Sequence, residues 1–363
     1  METKRVAVIG GGVIGLSVAW RTAAAGHDVT LIDPSPGRGA SWVAGGMLAP
    51  VAEAWPGEEA ALALGEESLR RWPEFAQALA ADGGDPALST HGTVVAALDR
   101  GDAGQLTVLA EYLGKVGRAV EQVTGRRLRT LEPGVSARSA LLVPGDLAVD
   151  NRRLLRSLRA AASRRGVRFV DDHATDVGTG LVRTGSGEVT CDVAVIAAGA
   201  RSGGLHPRLA VRPLKGEILR LRARRTSLPP PTRTVRAVAE GRPVYLVPRE
   251  DGELVLGATQ YEAGFDETVS ARGVRELLEA AARLFPSIDE YELVETAAGL
   301  RAASVDTLPF IGELEDGVFA ATGHHRNGLL MAPVTADAFV AWLGGGKPPA
   351  EVEAAHPDRL GGQ

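Results

Sequence analysis

Apolar residues in this chain fall into unbroken runs, helical stripes and short alternating stretches, and their order outlines the fold. Val6-Ala7-Val8-Ile9 is a continuous apolar run, the pattern of a strand covered on both faces. Val29 to Ile32 is a second such run. Between them an apolar-rich stretch opens at about Val13 and ends at Gly26, a residue suited to a left-handed helix cap. This predicts strand, helix, strand. Apolar positions Leu62, Leu69, Trp72, Phe75 and Leu79 keep mostly helical spacing over 58–81, and Pro73 inside them predicts a new start or a kink. The sequence further predicts a strand from His91 to Leu98 and a helix from Gln105 to Gln122. A helix capped by Asp150 runs to Arg165 with Leu154, Leu155, Leu158 and Ala162 on one face, and another runs from Ser270 to Phe285. Strands are expected at 167–170, from Ala174 to Val177, over Cys191 to Gly199, at 244–247, at 254–257, at 292–300 and at 318–321. Arg212 to Leu221 is read as a β segment containing a Lys215-Gly216-Glu217 turn, and Arg222 to Arg236 as a solvated loop. Residues 37–57 are poor in helix formers and read as an extended loop.

The first strand and helix are joined by Gly10, Gly12 and Gly15 in the spacing G-x-G-x-x-G. The first glycine permits a tight turn, the second lets backbone approach a pyrophosphate, and the third lets helix and strand pack closely. The free N–H groups at the helix start, at Val13 and Ile14, face the phosphates. Asp33 ends the second strand about 20 residues on, followed by Pro34, where a carboxylate suits a ribose 2′-OH and repels a 2′-phosphate. The motif in this context predicts a bound dinucleotide and leaves FAD and NAD both open.

Composition narrows the picture modestly. The chain has 363 residues, a formal net charge of −5 and one cysteine, Cys191. The length suffices for two domains, the charge argues against a nucleic-acid partner, and no intrachain disulfide can form. No apolar run has transmembrane length and the first strand begins within a few residues of Met1, so a cytoplasmic protein without a membrane role is expected. All but four of the 40 basic residues are arginine, a bias that fits genomic base composition better than function. No metal-ligand cluster and no serine–histidine–acid arrangement stands out, and none is expected.

Residues 37–57, with Ala44-Gly45-Gly46-Met47-Leu48 and Glu53, carry a family resemblance. They resemble the amino-acid oxidase branch of FAD proteins, the D-amino-acid oxidase family, and are most similar to its bacterial glycine oxidases of thiazole (thiamine) biosynthesis. The resemblance runs from Val6 to about Leu343. It implies a non-covalent FAD and an α/β fold. An FAD-binding Rossmann-like domain with a parallel sheet is then interleaved with a second α+β substrate domain built on an antiparallel sheet. The first would take 1–81, 146–210 and 301–345, the second 82–145 and 211–300, with 346–363 as a C-terminal tail. Carried over residue by residue, FAD contacts fall on Ala40, Ser41, Gly45, Gly46 and Met47, on Val177 for the adenine, and on Ala198 and Gly199. They continue through His324, His325, Arg326, Asn327, Gly328, Leu329 and Leu330, where a helix opening after Gly323 would face the flavin. Pro333 either kinks or begins that helix.

The resemblance also implies the chemistry. Arg301 matches the arginine that clamps a substrate carboxylate, Tyr245 its tyrosine partner, and Arg326 a further substrate contact. A planar two-donor fork suits a carboxylate, which is why arginine and not lysine is expected there. The clamp would hold an amino acid for hydride transfer to flavin N5, with oxygen as the final acceptor, in a homo-oligomer. Three features depart from the family pattern. Ala302 follows the clamp arginine where proline is usual, and Gln260 and His325 replace methionine and phenylalanine, which makes the pocket more polar. Glycine is the expected substrate. Sarcosine or a small D-amino acid, a dehydrogenase passing electrons elsewhere than oxygen, and a non-catalytic flavin-binding protein stay open.

Overall fold

The two leading apolar runs lie side by side in the middle of a sheet. In the computed structural model, which describes residues 2–361, the strands Arg5–Ile9 and Asp28–Ile32 pair in parallel on either side of the helix Val13–Ala24 in the chain. The sheet has six strands in the order Phe310–Glu315, Val318–Thr322, Val193–Ile196, Arg5–Ile9, Asp28–Ile32 and Arg168–Val170. Neighbours are parallel except for the edge hairpin Phe310–Glu315 and Val318–Thr322. Alternate residues serve two cores. Val6, Val8 and Leu31 face a layer of helices, while Ala7, Ile9 and Ile32 face Val177 and Val182 of a small antiparallel sheet. That double burial is why these strands read as unbroken apolar runs.

A second sheet has eight strands in the order Glu292–Ala303, Arg212–Arg222, Glu253–Gly257, Arg242–Pro248, Thr234–Ala239, Thr93–Ala97, Ser139–Val143 and Glu121–Thr124. It is antiparallel except at one ladder, where Thr234–Ala239 runs parallel to Thr93–Ala97. These two strands come from separate passes of the chain with a return to the first sheet between them. No hairpin joins them, so nothing forces alternation of direction. The helix Ala271–Leu284, capped by Ser270 through its bond from Gly273 N–H, packs Leu277, Ala280, Ala281 and Leu284 onto this sheet.

Several local expectations change. The helix Glu59–Asp82 runs through Pro73. Tertiary contacts outweigh the missing hydrogen bond, because Trp72, Phe75 and Leu79 are buried and the Trp72 indole N–H donates to Leu330 O at 2.9 Å. Lys215-Gly216-Glu217 lies inside the strand Arg212–Arg222 and is no turn. The loop after Arg222 ends by Thr234, where a strand begins. Residues 37–57 contain a short helix, Ala40–Val43, and a two-residue strand, Met47–Leu48. In the stretch expected as a tail, residues 346–361 form two 3-10 turns that bury Val352 and Ala355, and Arg359 pairs with Asp306 at 2.7 Å. Gly362 and Gln363 of that stretch, and Met1 at the other end, lie outside the described residues. Among the described residues no helix is long and apolar enough to cross a membrane.

Asp146 turns the chain back toward the first sheet and is fully buried. Its Oδ2 accepts the Ala52 N–H at 3.3 Å. Burial pushes its pKa up to about 7, against hydrogen bonds that favour the ionised form. The folded state therefore holds this proton where the unfolded chain has lost it. Stability is fully present below about pH 4 and declines as pH rises toward 7. Asp146→Asn, which cannot ionise, is expected to flatten this part of the profile. Thermal unfolding from pH 4 to pH 8 checks it, and equal slopes for the two proteins would contradict it.

Candidate active site

Both sheets open on one cavity of about 1520 Å³. Pockets for drug-sized ligands are typically about 300–1,000 Å³, so there is space for a large cofactor and a small substrate together. The glycine turn builds one end. Gly10 has φ +107°, and a Cβ there would stand 2.3 Å from Ala197 O. A Cβ on Gly15 would fall 1.8 Å from Gly10 O, so this residue lies beneath the turn and sets the approach of helix to strand. Gly12 caps the helix Val13–Ala24 without a side chain, and Ser41 Oγ accepts the Val13 N–H at 3.0 Å. Ile14 lines the cavity beside them. Asp33 and Pro34 also line it, with Asp33 accepting N–H bonds from Gly11 at 2.6 Å and Ser35 at 2.7 Å. A groove bared of side chains over a helix N-terminus, with a carboxylate at its rim, fits a dinucleotide.

The loop carrying Ala40, Ser41, Gly45, Gly46 and Met47 forms the next wall. It is held from below. Asn151, fully buried, donates to Ser41 O at 2.9 Å and Trp42 O at 2.8 Å, and Arg249 donates to Gly45 O. Trp42 lies between the guanidinium groups of Arg38 and Arg152, at 4.2 and 4.4 Å. Ala198 and Gly199, after the strand Val193–Ile196, close the opposite side.

At the far end stand Tyr245 and Arg301. Tyr245 comes from the strand Arg242–Pro248, and its ring packs where side chains on Gly45 and Gly257 would otherwise sit, 2.7 and 2.3 Å from its atoms. Its hydroxyl has no protein partner among the described residues. Burial raises the phenol's pKa against the opposing pull of Arg301, so it remains an O–H donor at neutral pH. Arg301 lies across Gly216, and Nη1 donates to Thr259 O at 3.2 Å. Among the described residues it meets no carboxylate. Arg326 differs, since it pairs with Glu53 at 3.2 Å and Glu58 at 3.3 Å. Arg236 shares Glu53 at 3.1 Å. This partly buried cluster of four neutralises two guanidinium groups, Arg236 and Arg326, and leaves Arg301 out.

The segment after Val318–Thr322 departs from expectation. Gly323 leads into a 3-10 turn, His325–Asn327, and the helix begins only at Ala332, with Pro333 in its first turn. Proline is tolerated there because its absent N–H would have had no partner. His324, His325, Arg326, Gly328 and Leu329 line the cavity. Burial pushes the His324 pKa down to about 3 and its Nε2 lies 3.1 Å from Thr335 Oγ1. Burial, with the charges of Arg326 and Arg301, pushes His325 down to about 4. Both rings are neutral at neutral pH.

Three expected contacts lie off the cavity. Val177 is buried between the sheets, and in its strand Ala174 and Thr175 reach the wall instead. Asn327 turns its N–H to His324 O, and Leu330 is buried with its carbonyl on Ser68 and Trp72. Arg236, Asn151 and Arg249 were not anticipated. For Arg236 the signal was present in the alternation Thr234-Val235-Arg236-Ala237, which reads as a strand with one polar residue turned from the core. Asn151 and Arg249 act through buried hydrogen bonds that no local pattern encodes.

A family profile described as FAD dependent oxidoreductase matches residues 5–342. Glycine oxidase of Pseudomonas aeruginosa is 34% identical over 95% of this chain and 96% of its own length. A Rhizobium etli protein provisionally named thiamine biosynthesis oxidoreductase ThiO is 34% identical over 92% of this chain and 94% of its own. The crystal structure of glycine oxidase from Geobacillus kaustophilus superposes with a TM-score of 0.90 at 31% identity, covering 98% of this chain and 99% of that one. With the glycine cradle, the bared groove and the matched length together, the chain belongs to the FAD-dependent oxidoreductase family.

Proposed function

We propose that this protein oxidises glycine: glycine, O₂ and water give glyoxylate, ammonia and hydrogen peroxide. The observation that carries the reading is Arg301, a guanidinium that meets no carboxylate among the described residues, in the same cavity as the Tyr245 hydroxyl and the glycine cradle. FAD, when bound, supplies the two-electron acceptor. It would be held by Gly10, Gly12, Val13 and Asp33, by the loops 40–47 and 198–199, and by residues 324–326, 328 and 329. Arg301 binds the substrate carboxylate through two N–H groups, and Tyr245 O–H donates to the same carboxylate. This fixes the amino acid at one end and so orients its Cα. The neutral histidines add no charge to compete for the carboxylate. Arg326, already paired with two carboxylates, contributes less than Arg301. The imine formed on oxidation hydrolyses in water or feeds thiazole synthesis, a step toward thiamine, and the Rhizobium etli relative's name supports a place in thiamine biosynthesis. A cytoplasmic homo-oligomer belongs to the same proposal.

The test is a peroxide assay of the FAD-loaded enzyme with glycine, sarcosine and D-alanine side by side. The highest kcat/KM is expected for glycine. A preference for either other substrate would keep the clamp and change the function. Flavin reduction without air, but no peroxide in air, would identify a dehydrogenase.

A further inference from the structure

We propose that Glu217 and Thr259 are positioning residues for Arg301, a role that rests on Arg301 being the carboxylate clamp. The long strand Glu292–Ala303 pairs with Arg212–Arg222 in a register that sets Gly299 opposite Gly216 and Arg301 opposite Leu214. Gly216 leaves the space that the guanidinium fills, since a Cβ there would lie 2.3 Å from Nη1 and 2.7 Å from Nη2. Sideways, one contact fixes the group, the Nη1 donation to Thr259 O at 3.2 Å. That bond occupies one donor and leaves the remaining fork for a carboxylate.

Glu217 sets where Thr259 lies. Thr259 N–H donates to Glu217 O at 3.2 Å, Glu217 N–H donates to Thr259 Oγ1 at 2.9 Å, and that hydroxyl donates to Glu217 Oε2 at 3.0 Å. The hydroxyl both accepts and donates, so its direction is fixed. The Glu217 carboxylate is fully buried. Its Oε1 accepts Ser270 N–H at 2.7 Å and lies 3.9 Å from Lys215 Nζ, which also pairs with Asp266 at 2.7 Å. Gly273 admits it, because a Cβ there would fall 1.7 Å from Oε2. A buried carboxylate is costly unless hydrogen bonds and a nearby cation compensate it. Here they pin both ends of 259–270, the connection that carries Gln260 and Glu267 into the cavity wall. The alternation of the strand divides the work: Lys215 and Glu217 hold that connection, while Gly216 between them receives Arg301.

Thr259→Val keeps the shape and removes the hydroxyl. In FAD-loaded enzyme it is expected to raise KM for the amino acid about tenfold, with Ki for acetate rising in parallel and kcat within about threefold, as for loss of an interaction shared by ground and transition states. Thr259→Ser should return both constants to wild type. Glu217→Gln, which still accepts from Ser270, is expected to raise KM and Ki together and serves if the valine variant does not fold. KM and Ki within twofold of wild type in these variants, while Arg301→Ala raises both, would overturn the positioning role alone. Unchanged constants in Arg301→Ala would overturn the clamp and, with it, this proposal.

Discussion

Arg301→Ala is expected to raise KM for the amino acid by about 10²- to 10³-fold while the protein still purifies with FAD. A carboxylate drawn from water into the cavity needs a charged partner, and truncating one side of such a pair costs about 2–5 kcal/mol, where each 1.4 kcal/mol is tenfold. Glu53 and Glu58 already neutralise Arg236 and Arg326, so neither is free to substitute without breaking its own pair. Arg301→Lys should recover only part of the loss. An ammonium can neither offer the two-pronged fork nor lie flat over Gly216. Steady-state kinetics with flavin absorbance decide the matter, and a wild-type KM in the alanine variant would remove the assignment.

Gly15→Ala is expected to yield a colourless, less stable protein. The added Cβ would sit 1.8 Å from Gly10 O, with backbone on both sides of the clash. Neither side can swing away as a flexible side chain would, so the helix Val13–Ala24 must retreat from the strand. Overpacking of this kind costs roughly 1–3 kcal/mol of stability, and the displaced helix start no longer meets the phosphates, so FAD affinity should fall at least about 100-fold. Gly26→Ala is the control. Gly26 has φ +94° but, among the described residues, nothing within 4 Å of its Cβ position, so only local strain of about 1 kcal/mol is expected, with FAD retained. Fluorimetric FAD titration and thermal unfolding of both variants give the answer. A yellow Gly15→Ala protein with wild-type affinity would sink the argument.

The dinucleotide end was legible because each of its requirements is local. A tight turn, a close backbone approach and a buried parallel strand each demand particular residues at short spacing, and Gly10, Gly12, Gly15 and Asp33 meet them within one supersecondary unit. The helix caps Asp150 and Ser270 were legible for the same reason. Tyr245 and Arg301 were singled out by resemblance, since nothing in their neighbours distinguishes either from a surface residue. The rest depends on distant partners. Pro73 sits in a helix because Trp72 and Phe75 are anchored by residues far along the chain. Lys215-Gly216-Glu217 resembles a turn until a guanidinium from a neighbouring strand and a threonine from the connection after Glu253–Gly257 are seen to need the glycine and the glutamate. Helix formation after Gly323 is delayed to Ala332, and residues 323–326, 328 and 329 of the intervening stretch line the cavity.

The single parallel ladder in the eight-stranded sheet bears on the order of assembly. It joins Thr93–Ala97 to Thr234–Ala239, two stretches that leave the ribosome far apart in time. Until the later stretch emerges, the piece made from 93–97, 139–143 and 121–124 presents an open strand edge. The glycine turn, by contrast, already has its strand, helix and second strand within the first few dozen residues. A nascent chain thus carries the turn proposed to face phosphate long before the residues proposed to clamp substrate.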